Sequence, residues 1–131
     1  MKTKAVRLYG ENDIRLEEFE LPELKNGEIL IKIISDSTCD LSAAQLKEHN
    51  ISLARLTIIK NGDSFLDGDT IHPADIFAHV AAGGSLCSTA AVSIGEYEDF
   101  FAQYSADYDG VILVNIGSGF SACHQNARLA A

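Results

Sequence analysis

A cluster of hydroxyl and carboxylate side chains directly follows the apolar run Ile29–Ile34, in the segment Ser35-Asp36-Ser37-Thr38-Cys39-Asp40-Leu41-Ser42. In an open α/β sheet, ligands are held where strands end, because the carboxyl ends of the strands form a crevice lined by polar loops. Asp36 and Asp40 could act there as acid/base groups. A carboxylate in a turn more commonly caps the helix that follows, so both interpretations stay open.

A second candidate site follows the apolar run Gly110–Ile116. Gly117-Ser118-Gly119 is a tight turn, and Ser121 stands where a helix is predicted to begin. The unpaired N–H groups and the dipole of a helix start favour an anion, and Gly119 lets the backbone approach a ligand closely. By default, however, Ser121 is only an N-cap.

The same turn also matches a dinucleotide-binding fingerprint, because Gly117-x-Gly119-x-x-Ala122 follows an apolar strand. This is a weak signal. The acidic residue expected about 20 positions later would fall beyond residue 131.

The cysteines and histidines favour neither a metal site nor a nucleophile. Three cysteines, Cys39, Cys87 and Cys123, form no Cys-x-x-Cys pair, so neither a disulfide framework nor a structural zinc site is expected. Cys123 and His124 are adjacent, and neighbours on a helix point about 100° apart, so they cannot easily share a proton. The other histidines lack metal-ligand spacing: His49, His72 and His79.

The composition is that of one small acidic domain, with 131 residues and a net charge of −9. No basic run offsets the repulsion from phosphates, which argues against nucleic acid or an anionic membrane as a partner. The apolar runs are too short to span a membrane, and the charged start lacks the apolar region of a secretory signal. We therefore expect no membrane span and a cytoplasmic location.

The chain divides into a hairpin and an α/β region. Strand-like alternation in Lys4–Tyr9 and Ile14–Leu21, around the turn-rich Gly10–Asp13, predicts a β-hairpin within residues 1–28. Strands then alternate with helices. The predicted elements are the strands Ile29–Ser35, Ile51–Ile59 and Gly110–Ile116, and helices from a Ser42–Gln45 capping box to about Asn50, from Pro73 to Ala82, from a Ser93–Glu96 capping box to about Ser105, and from Ser121 to Ala131.

This alternation predicts an α/β fold, a parallel sheet with helices on both faces, over residues 29–131. Aromatic residues at helical spacing predict core packing for the third helix: Tyr97, Phe100, Phe101 and Tyr104. The same interpretation applies to Phe77 and Val80 in the second helix.

From about residue 33 to residue 131 the chain resembles the N-terminal part of the DegV family of bacterial fatty-acid-binding proteins. The matching motifs, in the order and spacing of the family, are Ser35–Ser42, Leu56-Thr57, Asn61-Gly62 with Asp67-Gly68, Cys87–Ser93, Ser118–Ser121 and Gln125–Ala131. The chain departs from the family pattern at Ala90-Ala91-Val92, where Ser-Gln-Pro is usual, and at Gly117, where a serine is usual.

The resemblance implies a two-domain, non-enzymatic protein without a cofactor, of which this chain is a truncated part. Such a protein holds a long-chain fatty acid between its domains, and some members present the acid to a separate fatty acid kinase. By position, Thr89 and Ser121 match the carboxylate-binding hydroxyls, with Ser118 and Gly119 in the same motif. Two hydroxyl donors and helix N–H groups can satisfy both carboxylate oxygens without a buried cation.

Residues 1–34 instead resemble the start of zinc-dependent medium-chain alcohol dehydrogenases, through Met1–Tyr9 and Leu16–Pro22. Cys39 falls where the first zinc-ligand cysteine of that family would lie. One cysteine cannot supply the three protein ligands of a catalytic zinc. The alternatives to a lipid-binding domain are therefore a fragment of a zinc- and NAD(P)-dependent oxidoreductase, and a chimera that binds no ligand.

Overall fold

The computed structural model describes residues 2–10, 13–20 and 23–131, with side chains from residue 23 onward. The strands are β1 (Lys2–Gly10), β2 (Asp13–Glu20), β3 (Ile31–Asp36), β4 (Ser52–Ala54), β5 (Thr57–Lys60), β6 (Asp63–Leu66), β7 (Ser88–Ala90) and β8 (Gly110–Val114). The helices are a 3-10 turn (Ser37–Cys39), α1 (Ala43–Glu48), α2 (Pro73–Ala81), α3 (Ile94–Ala102) and α4 (Cys123–Ala130).

The predicted N-terminal hairpin is confirmed. β1 and β2 form a two-stranded antiparallel sheet in which Thr3 is opposite Phe19 and Leu8 is opposite Ile14. The centre of the predicted turn, residues 11–12, and the predicted strand end at residues 21–22 lie outside the described residues.

The parallel sheet that positions the candidate site has the strand order β4-β3-β8. β3 pairs in parallel with β8, with Ile33 beside Ile112, and with β4, with Asp36 beside Ala54. An apolar run interrupted only by Lys32 suits a strand that is central in the sheet, and Ile34 is fully buried. The predicted α/β fold with a parallel sheet is confirmed.

The prediction of one strand over Ile51–Ile59 is wrong. β4 and β5 belong to different sheets, and β5 is central in an antiparallel sheet of order β6-β5-β7. Between the two strands, the N–H of Leu56 donates to Ser37 Oγ at 3.1 Å. Apolar periodicity cannot reveal this switch, because it depends on a hydroxyl 19 residues earlier in the chain.

The predicted Asn61-Gly62 turn joins β5 to β6. Lys60 is opposite Asp63, so the loop has two residues, and their φ angles are +55° and +90°. Two positive φ angles define a type I′ turn, for which Asn-Gly is the favoured pair.

Both serine capping boxes are confirmed, at Ser42 and Ser93, and Pro73 occupies the first turn of α2. The predicted helix ends differ. α3 ends at Ala102 and not near Ser105, and α4 begins at Cys123 and not at Ser121. α4 starts late because Gly117 to Phe120 form a turn, closed by a bond from the Phe120 N–H to the Gly117 carbonyl at 2.9 Å.

The core lies between α3, α4 and one face of the parallel sheet. Its buried members include Tyr97, Cys123 and Ala127, and Phe100, Phe101 and Leu113 pack against them. Core packing is therefore confirmed for the aromatic face of α3. It is wrong for α2, where Phe77 is 72% exposed and Val80 is 38% exposed.

Candidate functional site

The carboxyl end of the parallel sheet is organised by the side chain of Asp36. The residue is 1% exposed. One carboxylate oxygen accepts hydrogen bonds from the Thr38 N–H at 3.1 Å and the Thr38 hydroxyl at 2.6 Å, and the other accepts from the Ile116 N–H at 2.6 Å. Asp36 therefore caps the 3-10 turn, as one of the two sequence interpretations held, and also anchors the loop that follows β8.

The neighbouring hydroxyls also serve the scaffold. Ser35 Oγ donates to the Val114 carbonyl at 2.9 Å, and Ser37 Oγ accepts from the Leu56 N–H. Asp40 is exposed and has a φ of +53°, which ends the 3-10 turn. The first candidate stretch thus holds the strand ends in position, and the residues that can meet a ligand lie beside it.

Ser121 is half-buried in the loop between β8 and α4. Its Oγ accepts a hydrogen bond from the Cys123 N–H at 3.2 Å, while the N-cap position itself is occupied by Ala122. The N-cap was predicted at Ser121 and lies one position later, at Ala122. Because the oxygen is held by the backbone, the hydroxyl proton of Ser121 is left to donate.

The start of α4 supplies further donors. The first N–H groups of an α-helix have no intrahelical acceptor, and the helix dipole favours negative charge there. Ser118 and Gly119 lie at the exposed tip of the loop that precedes this helix. The loop and the helix start together can surround an anion with N–H and O–H groups.

Thr89 lies at the centre of β7, where it is exposed and paired with Ile58 of β5. Its segment is connected to α4 by a bond from Asn126 Nδ2 to the Val92 carbonyl at 2.8 Å. Among the described residues, this bond joins the two segments, and none runs between the hydroxyls of Thr89 and Ser121.

The sequence analysis placed Tyr97 in the core but did not anticipate its buried hydroxyl, which lies near the start of α4. Tyr97 is fully buried, and its hydroxyl makes no hydrogen bond within the described part of the chain. Asn115 and Cys123 lie beside it without meeting hydrogen-bond geometry. Burial raises the pKa of Tyr97 well above its ordinary value, and the nearby Cys123 and Asp36 raise the pKa further. The phenol therefore stays neutral under the site.

Two apolar side chains adjoin the candidate residues in sequence and are strongly exposed. Leu86, three positions before Thr89, is 85% exposed, and Phe120, next to Ser121, is 87% exposed. The Phe120 ring lies over Gly117, where an added Cβ would be 3.4 Å from the ring. Each candidate hydroxyl thus has a strongly exposed apolar residue within three positions of it in the chain.

Lys32 is a second buried polar group that the sequence analysis did not single out. It is 2% exposed, and its Nζ donates to the Asn50 carbonyl at 2.6 Å and lies 5.0 Å from the centre of the Tyr104 ring. Burial lowers the pKa of Lys32. The only signal in the sequence was a charge inside an apolar run. Lys32 is in the first half of β3, away from the carboxyl end that carries Asp36.

The cysteines are separate from one another. Cys39 and Cys87 are half-buried, Cys123 is buried, and all three are free thiols. Within the described ranges, no three histidine, cysteine, aspartate or glutamate side chains cluster as metal ligands. Cys123 is buried while His124 is exposed, so these neighbours face different surroundings. No helix among residues 23–131 has the length and apolar character needed to cross a bilayer.

The parallel sheet β4-β3-β8 and the helices that alternate with its strands define an α/β domain. The family described as "Uncharacterised protein, DegV family" matches residues 30–131. A 15.5 kDa DegV domain-containing protein of Staphylococcus aureus is 30% identical over 95 residues, which cover 72% of this chain and 67% of that protein. The chain belongs to the DegV family.

Solved structures agree with this assignment. A fatty-acid-binding DegV family protein from Thermus thermophilus has a TM-score of 0.73 and 25% identity, and the match covers 77% of this chain and 36% of that one. A stearic-acid-binding protein from Eubacterium ventriosum has a TM-score of 0.70 and 27% identity, with 77% and 35% covered. The chain thus spans little more than a third of these solved relatives.

The resemblance to dehydrogenases has weaker support, from two short matches. One is to the uncharacterized protein YggP of Escherichia coli, 54% identical over 39 residues, and the other is to L-sorbose 1-phosphate reductase of Klebsiella pneumoniae, 51% identical over 37 residues. Each match covers 9% of the longer protein. Matches over so small a share of the relatives show no activity for this chain.

Proposed function

We propose that this chain binds the carboxylate of a long-chain fatty acid. In this proposal, Thr89 and Ser121 donate their hydroxyl protons to the two carboxylate oxygens, and Ser118, Gly119 and the first turn of α4 complete the shell of donors. The observation that carries the proposal is the bond from the Cys123 N–H to Ser121 Oγ, because it fixes the hydroxyl at the positive end of a helix and leaves its proton free.

The energies of the proposed contacts favour an amphiphile. A hydrogen bond to a charged group contributes about 1.5–3 kcal/mol, so two hydroxyl donors give the carboxylate only moderate affinity. Each buried methylene adds about 0.8 kcal/mol. Leu86 and Phe120, which are close in sequence to the donors, offer exposed apolar surface, which suits the first carbons of an acyl chain.

The ligand class is further supported by the relatives, since the proteins from Thermus thermophilus and Eubacterium ventriosum are fatty-acid binders.

We assign binding to residues 29–131 and treat residues 1–28 as a separate dehydrogenase-like hairpin. The three free thiols suit a reducing compartment, which favours a cytoplasmic location.

Extraction of the purified protein with organic solvent, followed by mass measurement of the acyl content, tests the proposal. We expect Ser121→Ala and Thr89→Ala each to retain much less fatty acid than the wild type. Ser64→Ala is the matched control, because it removes an exposed hydroxyl from β6. Equal acyl content in the wild type and in Ser121→Ala would remove Ser121 from the site.

The proposal includes a kinase partner that phosphorylates the held carboxylate. Thr89 and Ser118 are exposed, so an acid held there stays accessible from outside. The expected result is faster phosphorylation of the acid by a fatty acid kinase when this chain is present. An unchanged rate, with lipid binding intact, would remove the kinase alone from the proposal.

A nucleotide-binding alternative rests on one arrangement, the turn Gly117–Gly119 between β8 and α4, which is the order of elements in a dinucleotide site. Titration with a nicotinamide cofactor separates the two functions. The fatty-acid proposal expects no binding at about millimolar cofactor, and saturable binding would favour the oxidoreductase fragment.

A further inference from the structure

Two Asn-Gly pairs stand in nearly the same local sequence. One lies in Lys25–Glu28, which reads Lys-Asn-Gly-Glu, and the other lies in Lys60–Asp63, which reads Lys-Asn-Gly-Asp. Asparagine is a thermolabile residue, and a glycine after it has no Cβ to shield the backbone nitrogen that joins them. Because the flanking residues match, a difference in reactivity between the two pairs has to come from the fold.

The reaction open to such a pair is deamidation. The glycine nitrogen loses its proton to a base in solution and attacks the asparagine Cγ, which closes a succinimide ring. The bond from Cγ to the side-chain nitrogen breaks, and that nitrogen takes up a proton and leaves as ammonia. Water then opens the ring at either carbonyl and gives aspartate or isoaspartate. The reaction needs no oxidant or reductant, and its rate rises with pH.

Asn26-Gly27 lies in a turn outside every described strand and helix. The turn is closed by a bond from the Glu28 N–H to the Lys25 carbonyl at 3.0 Å, and the Glu28 carboxylate accepts from the Lys25 N–H at 2.9 Å. Both residues of the pair are exposed, and within the described residues neither the Asn26 side chain nor the Gly27 N–H makes a hydrogen bond. Rotation of the Gly27 peptide toward the Asn26 side chain therefore disrupts one exposed turn and no sheet.

Asn61-Gly62 is equally exposed but is the two-residue loop of the hairpin β5–β6. The φ angles of the pair, +55° and +90°, belong to the type I′ turn that keeps Lys60 opposite Asp63. Rotation of the Gly62 peptide toward the Asn61 side chain takes the pair out of this turn and unpairs the end of the hairpin. β5 is also the central strand of its sheet, with β7 on its other side, so this opening disrupts more structure.

The two Asp-Gly pairs of the sequence can close the same ring with loss of water, and both are held by hydrogen bonds. At Asp67-Gly68 the Gly68 N–H donates to the Ile71 carbonyl at 2.9 Å. At Asp109-Gly110 the carboxylate accepts from the Leu30 N–H at 2.8 Å, and Gly110 is paired with Ile31 of β3. Of these four pairs, Asn26-Gly27 is the one that neither a sheet nor a bond to its reacting groups restrains.

We propose that Asn26 is a site of spontaneous deamidation in the folded protein and that the type I′ turn protects Asn61. Opening of an exposed turn costs little free energy, opening beside a central strand costs more, and a reaction of the open form slows accordingly. Isoaspartate at position 26 adds a backbone methylene and one negative charge to the net −9, in a segment before the first strand of the parallel sheet. At position 61 the same methylene would enter the loop that sets the register of β5 and β6.

Incubation of the full chain at mildly alkaline pH, followed by peptide mapping with mass spectrometry, tests the proposal. The gain in mass from amide to acid is read separately for the peptides that carry Asn26 and Asn61, and isoaspartate is counted by enzymatic methylation. In the folded protein, we expect Asn26 to convert at least about tenfold faster than Asn61. In enough urea to unfold the chain, we expect the two rates to agree within about twofold, because the local sequences match.

Two variants identify the origin of the signals. Asn26→Gln has to close a larger ring and is expected to remove most of the isoaspartate from the folded protein. Phe65→Ala weakens the pairing of β6 with β5, where Phe65 is opposite Ile58, and is expected to speed conversion at Asn61 and leave conversion at Asn26 unchanged.

Equal rates at Asn26 and Asn61 in the folded protein, or a slower rate at Asn26, would overturn the proposal. An Asn61 rate that is the same in the folded protein and in urea would overturn the protection by the type I′ turn, as would an Asn61 rate that Phe65→Ala leaves unchanged.

Discussion

Removal of the Asp36 carboxylate is expected to loosen both the fold and the candidate site. Asp36→Ala leaves the N–H groups of Thr38 and Ile116, which make part-buried bonds in the wild type, without their acceptor. A buried donor without an acceptor costs about 1–3 kcal/mol, and water can reach Thr38, so we expect the free energy of unfolding to fall by about 3 kcal/mol. Asp36→Asn keeps one oxygen, which can accept from Thr38 or from Ile116, and turns its amide N–H₂ toward the N–H of the other residue. We expect this variant to lower the free energy of unfolding by about 2–3 kcal/mol.

Thr38→Val is the graded control, since it removes only the hydroxyl that donates to Asp36 at 2.6 Å, and it is expected to cost about 1 kcal/mol. Urea denaturation followed by circular dichroism measures all three variants. Fatty-acid binding is expected to weaken in Asp36→Asn, because Ile116 lies in the loop that carries Ser118 to Ser121. Stability of Asp36→Ala within about 0.5 kcal/mol of the wild type, the range of an ordinary surface substitution, would refute this account of the strand ends.

Three further predictions concern caps, glycines and titration. Ser93→Ala is expected to lower the free energy of unfolding by about 1 kcal/mol. Hydrogen bonds from Ser93 lower the pKa of Glu96, so their contribution to stability is present above the ordinary glutamate value of 4.5 and is lost as the pH falls. Urea titrations of the variant and the wild type should therefore converge in acid. Gly62→Ala, at a φ of +90°, should lower the free energy of unfolding by about 1 kcal/mol or more. Gly95→Ala, in open space on α3, should raise it by about 0.5–1 kcal/mol. Urea denaturation that shows both variants changed in the same direction would contradict this pair of predictions. Tyr97→Phe should be as stable as the wild type at neutral pH, because the Tyr97 hydroxyl makes no hydrogen bond among the described residues. The raised pKa of Tyr97 gives a contribution to stability that is present below pH 10.0 and lost as the pH rises. The wild type should therefore lose more stability than the variant in alkaline denaturation.

Features set by neighbouring residues could be predicted from the sequence. Ser42 and Ser93 cap helices with a partner three positions on, and Asn61-Gly62 folds a hairpin within four residues. The strand β3 follows from an apolar run that only Lys32 interrupts. These signals are local, so no knowledge of the rest of the chain was needed.

Features set by distant contacts could not be predicted. The break between β4 and β5 depends on Ser37, and the burial of Lys32 depends on Asn50 and Tyr104. The helical spacing of Phe77 predicted a buried face, yet spacing alone does not show whether another element covers a helix. Local pattern therefore predicts which elements form more reliably than what they pack against.

The candidate site divides in the same way. Residue types suggested an anion at the turn before α4, and the family resemblance added Thr89. The bond between Asp36 and the Ile116 N–H, which spans 80 residues, could not be anticipated, although it anchors the loop of the site. Capping was one of two interpretations of Asp36 that the sequence left open, and the structure adds the anchoring of Ile116.

The central claim, that Thr89 and Ser121 together bind a carboxylate, is tested most directly by comparing stearic acid with stearyl alcohol. Displacement of a fluorescent fatty acid gives the affinity of each ligand for the wild type and for the Thr89→Ala, Ser121→Ala double variant. We predict that the wild type prefers the acid by about tenfold or more, the equivalent of one charged hydrogen bond, and that the double variant loses the preference. Equal affinity of the wild type for acid and alcohol, or an unchanged preference in the double variant, would contradict the claim.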